Sequence, residues 1–114
     1  MDITSQELGD GITLVSLTGI LDIKGAEAID LHLSVLAQSR GHLILDLSGV
    51  TYMASMGFRC LVNTARLVHQ RGFTLVLLSP TAGVQKVLIS TGMDSVMPIH
   101  ASLAEAEAGV RTPA

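Results

Sequence analysis

Leu43-Ile-Leu-Asp-Leu-Ser-Gly-Val-Thr-Tyr-Met-Ala-Ser-Met-Gly57 begins as an almost unbroken apolar run and closes on a serine and a glycine two positions apart. An apolar run of this kind fits a strand covered on both faces, as in a parallel sheet. The run predicts a central strand over residues 42–47, interrupted only by Asp46 near its end. A turn through Ser48-Gly49 and a loop through Tyr52-Met53 follow. They lead to a helix over residues 57–71, ended by Gly72, with Phe58, Leu61, Val62, Ala65 and Val68 as its buried stripe.

Toward the amino terminus, Gly9-Asp-Gly11 separates two strand-like segments, residues 2–8 and 12–17, which read as a hairpin. Gly19-Ile-Leu-Asp22 closes the second strand. Ala26, Ile29, Leu33 and Leu36 then recur at helical spacing over residues 24–39. Toward the carboxyl terminus come a strand over 73–78, a turn at Ser79-Pro80, and a helix over 82–90 stopped by Thr91-Gly92. A short strand near 96–99 and a helix near 102–108 complete the chain. The order ββαβαβαβα predicts an α/β fold: one mixed, mostly parallel sheet of about five strands with about four helices. Residues 1–109 are expected to form one domain, and 110–114 a flexible tail.

Composition narrows the function. Hydrophobic residues make up 48% of the 114 positions and charged residues 15%, which excludes a disordered chain. No apolar run approaches the ~18 residues of a membrane span, so direct membrane insertion is not expected. The seven basic residues are scattered in a chain of net charge −3, and the only aromatics are Tyr52, Phe58 and Phe73. Nucleic acid is therefore not an expected partner. The amino terminus lacks an export signal, and the single Cys60 has no partner for an internal disulfide, so a cytoplasmic location is expected.

In open α/β sheets, ligands meet the carboxyl ends of strands. Here that edge is expected to carry Ser55, at a helix start where free amides and the helix dipole favour an anion. Ser55 is thus a candidate phosphate acceptor, or a helix cap of about 1 kcal/mol. Asp22 and Asp46 also end strands; Asp46 can instead cap its own turn. A hydrolase elbow needs Gly-x-Ser-x-Gly, and Met53 stands at the first glycine position. The four histidines, at 32, 42, 69 and 100, lack zinc-ligand spacing, and no phosphate-binding loop occurs, so no metal, cofactor or catalytic residue is expected. Cys60 reads as a small core residue.

Residues 45–57 resemble the signature of the STAS domains, the family of bacterial anti-sigma factor antagonists. Gly19-Ile-Leu-Asp22 and residues 77–92 extend the resemblance over nearly the whole chain. It implies a non-enzymatic domain that binds an anti-sigma factor serine kinase and so frees a sigma factor. Phosphorylation of the loop serine, here Ser55, would break that complex, and a serine phosphatase would restore binding. The resemblance places the partner surface on Asp22, Tyr52, Met53, Ala54, Met56, Gly57 and Phe58, with Asp46 and Ser48 supporting the loop. Phosphorylated members carry aspartate just before the serine and a hydroxyl residue just after it, where this chain has Ala54 and Met56. Those two departures fit a rival reading, a constitutive scaffold or a subunit of a larger assembly such as a lipid-transport complex. A small esterase is a third.

Overall fold

The structure, a computed structural model, describes residues 1–111. Strands β1 (Asp2–Gly9) and β2 (Ile12–Leu21) form an antiparallel hairpin. At its turn Gly9, Asp10 and Gly11 all have positive φ (90°, 55° and 74°), a conformation glycine adopts freely and aspartate tolerates. Helix α1 (Ile23–Ser39) connects to β3 (His42–Met53), and α2 (Ser55–Gln70) connects to β4 (Leu75–Leu78). Helix α3 (Ala82–Ser90) and a 3-10 turn at Met93–Ser95 lead to β5 (Ile99–His100), and α4 (Leu103–Arg111) follows. The strands lie in the order β1-β2-β3-β4-β5, with β2 to β5 parallel.

Alternation along the strands divides the apolar residues between two faces. Val15, Leu17, Leu43, Leu45, Leu47, Leu75 and Leu77 join buried residues of α1, α2 and α3 in the main core. Ile12, Ile44, Val76 and Leu78 point the other way and are covered by Ala106 and Val110 of α4. Leu45 is wholly inaccessible at the centre of the main core. Leu45→Ala is expected to lower stability by about 2–5 kcal/mol, read as a fall in urea midpoint without a change in slope.

Four expectations change. The loop assigned to residues 48–53 is strand: β3 runs on to Met53 through two bulges, each giving it one residue more than β2. At the first bulge Asp46 Oδ1 accepts a hydrogen bond from the Ser48 amide (3.0 Å), and Gly49 sits where a Cβ would meet Thr18 Oγ1 at 2.9 Å. A chain that reads as a turn thus remains paired. Helix α2 begins at Ser55 rather than Gly57. The last strand is displaced from 96–99 to Ile99–His100, and Val96 lies outside the sheet, exposed. Helix α4 continues through Arg111 with Val110 buried, so the tail expected from residue 110 is helix there, and 112–114 lie outside the described residues.

Candidate functional site

Strand β4 ends at Leu78, level with Asp46, while β2 and β3 continue beyond it as a pair. At about 3.3 Å per residue, the five residues by which β2 advances from Ser16 to Leu21 carry the pair roughly 17 Å further, the two bulges taking up the two extra residues of β3. The tip of this pair is where both α1 and α2 begin. Ile20 lies opposite Tyr52 and Leu21 opposite Met53, and the Ala54 amide donates to the Leu21 carbonyl (3.0 Å).

Two glycines allow this crowding. A Cβ on Gly25, in the first turn of α1, would lie 2.2 Å from the Ile20 carbonyl oxygen. One on Gly57, in the first turn of α2, would lie 2.6 Å from the Leu21 carbonyl oxygen. Asp22 caps α1, its Oδ1 accepting from the Gly25 amide at 2.8 Å. The cap of α2 is Ala54, which contributes no side-chain hydrogen bond.

Ser55 is therefore the first residue of α2 and not its cap, which removes the capping explanation for this serine. Its side chain is exposed, and no group among the described residues hydrogen-bonds its hydroxyl. Four apolar residues of the same strand-to-helix junctions are exposed and make up the apolar tip: Ile20 is 51% exposed, Ile23 57%, Tyr52 58% and Met56 39%, with Ile20 paired to Tyr52 and Ile23 sharing a groove with Met56. Exposed apolar clusters rimmed by polar groups mark interaction surfaces.

The structure divides the expected partner-binding residues. Tyr52 and Met56 face outward, and Asp22, Ala54 and Phe58 are half-buried. Met53 is buried in the main core, and Gly57 is buried beneath the helix start, so these two hold the tip in place from below. Asp46 and Ser48 bond to each other in the middle of β3, at its first bulge, and neither bonds to Ser55. Ile20 and Ile23, which are not among the expected partner-binding residues, complete the patch. Their signal is the register that sets Ile20 against Tyr52.

Beside the patch, α1 and α2 enclose a groove of about 190 Å³ lined by Ile23, Ala26, Glu27, Asp30, Met56, Arg59, Cys60 and Asn63. Cys60 Sγ donates to Asp30 Oδ1 at 3.6 Å. Burial, reinforced by the Asp30 charge and this hydrogen bond, raises the thiol pKa from 9.0 to about 11. Two pH units mean about 100-fold less thiolate at pH 8 than an ordinary thiol offers. Alkylation by iodoacetamide at pH 8 is accordingly expected to be about 100-fold slower in the folded chain than in urea. Because the folded state holds the proton more tightly, this contribution to stability is complete below pH 9 and is lost as pH rises toward 11. Urea midpoints for native chain and Cys60→Ala are expected to converge over that window.

Three of the four histidines have partners in the fold. His42 Nδ1 accepts from the Thr74 amide (3.0 Å), and His69 Nε2 accepts from the Leu75 amide (3.4 Å). His100 packs against Gly109, and His32 is on the exposed side of α1. Among the described residues there is no group of three or more metal-ligating side chains, and no helix is long and apolar enough to cross a membrane.

A mixed five-stranded sheet, three helices on one face, a fourth on the other, and an apolar tip at a strand-to-helix junction define an α/β domain. The chain belongs to the STAS domain family, whose model matches residues 6–106. It is 25% identical over 92 residues to an anti-sigma F factor antagonist of Paenibacillus polymyxa, covering 79% of each chain. An anti-sigma factor antagonist from Mycobacterium paratuberculosis has the same fold, with a TM-score of 0.81, 27% identity, and coverage of 97% of this chain and 96% of that one. So does the Bacillus cell fate determinant SpoIIAA in its phosphorylated form (TM-score 0.74, 21% identity, 96% of this chain and 100% of that one).

Proposed function

We propose that this chain is a cytoplasmic anti-sigma factor antagonist that docks a kinase-type anti-sigma factor on the tip of β2 and β3, frees a sigma factor, and is released when Ser55 is phosphorylated. The observation that carries this reading is an exposed, unbonded serine hydroxyl at the first position of a helix, next in the chain to Met56 of the exposed apolar tip. Docking covers Ile20, Ile23, Tyr52 and Met56. A phosphate at Ser55 adds about two negative charges to that surface, where the partner's apolar groups cannot solvate them. A serine phosphatase resets the surface. The names of similar proteins support the antagonist role, and the phosphorylated form of one of them supports control by phosphate.

A second reading, constitutive binding, is favoured by Met56 and Ala54. Met56 presents an adaptable thioether next to the serine, and Ala54 offers no carboxylate at the helix cap. In that case the chain serves as a scaffold or as a subunit of a larger assembly. Intact-mass measurement after incubation with the purified anti-sigma factor of the same organism and ATP separates the two. The regulated antagonist gains one phosphate that Ser55→Ala does not gain. A chain that binds but stays unmodified is constitutive, and one that neither binds nor is modified is no antagonist of that factor.

A further inference from the structure

The groove between α1 and α2 opens beside Met56, so a partner seated on the tip also covers it. At about 190 Å³ it is smaller than the ~300–1,000 Å³ of small-molecule sites, and its size suits one side chain. Ile23, Ala26 and Met56 supply apolar wall, and Cys60 is buried within it. The polar lining includes two carboxylates, Glu27 and Asp30, against one cation, Arg59, and an amide, Asn63. Ion pairs among the described residues join Arg40 to Glu7 and Arg111 to Asp10, so none of the three charges in the groove is in an ion pair with a described residue. The Cys60 thiol donates a weak hydrogen bond to one Asp30 oxygen.

We propose that this groove receives a single basic side chain of the anti-sigma factor, an arginine or lysine. Its alkyl stem lies along Ile23, Ala26 and Met56, and its cation sits between Glu27 and Asp30. Long basic side chains bury their stems on apolar surface and keep the charged head at a polar rim, which is the layout here. Arg59 on the opposite wall attracts an acidic residue and repels a basic one; the net charge of the lining, two negative against one positive, decides the sign in favour of a cation. The inference rests on the tip being the docking surface, and it adds what the partner must present there.

The test is the affinity of purified anti-sigma factor for the native chain, for Glu27→Gln/Asp30→Asn and for Met56→Glu, by calorimetry at two salt concentrations. Asparagine at position 30 keeps an acceptor for the Cys60 thiol, and circular dichroism checks that each variant is folded. The double variant is expected to bind about tenfold more weakly or worse, with a shallower salt dependence, as for loss of an interfacial charge pair. Reversal of one partner arginine or lysine to glutamate should cause a similar loss, and Glu27→Lys should recover part of it. If Met56→Glu abolishes binding while the double variant binds within twofold of the native chain, the groove assignment falls and the docking surface stands. If Met56→Glu also binds normally, or the native chain does not bind, the docking surface falls and the groove assignment with it.

Discussion

Gly25→Ala is expected to destabilise the fold by about 3 kcal/mol, the upper part of the usual cost of forcing an extra methyl into a packed site. Helix propensity alone gives the opposite sign, a gain of up to about 1 kcal/mol for alanine over glycine inside a helix. Sterics win because the added carbon would lie 2.2 Å from the Ile20 carbonyl oxygen and 3.2 Å from its carbon, both backbone atoms that no rotamer change can move. Gly57→Ala is expected to behave alike, with its clash on the Leu21 carbonyl at 2.6 Å. Gly83→Ala in α3 is the control: nothing lies within 4 Å, so it should be neutral or slightly stabilising. Urea midpoints for the three variants check this. Gly25→Ala as stable as the native chain would mean that α1 is not seated on the end of β2.

The second large effect is on binding. Ser55→Asp is expected to weaken anti-sigma factor affinity about 100-fold, or about 2.7 kcal/mol, while Ser55→Ala changes it less than about threefold. The hydroxyl makes no bond to any described residue, so its loss removes no contact seen in the free domain. A carboxylate at the same place must be desolvated against Ile20, Ile23, Tyr52 and Met56 when the partner docks. Stability should move the other way, because a negative charge in the first turn of α2 gains about 0.3–1 kcal/mol from the helix dipole. Weaker binding by a more stable protein separates an interface effect from a folding defect. Equal affinities for the two variants would leave Ser55 without a regulatory role.

Much of the fold is legible in the sequence because its signals are local. The hairpin turn, the stripe of α1 and the Thr91-Gly92 stop each depend on neighbours within a turn or two. The extent of β3 is not legible, because Ser48-Gly49 has the composition of a turn and is kept in the sheet only by its pairing with β2 and by the Asp46 carboxylate. The same pairing moves the start of α2 back to Ser55. The site was legible as a position in the chain and not as a surface. Met53 reads like Met56, but one points into the core and the other outward. Nothing in the sequence marks Ile20 and Ile23 as outward-facing; the fold leaves both exposed.

The four exposed apolar residues at the tip are held by Leu21, Met53 and two glycines beneath them, and none of the four belongs to either core. Substitutions at such surface positions usually alter folding stability by no more than about 0.5 kcal/mol, yet each changes what the tip can match. Duplicated copies of the gene can thus diverge in partner choice with the scaffold unchanged, and parallel signalling circuits in one cell can be insulated from crosstalk by a few changes at the tip.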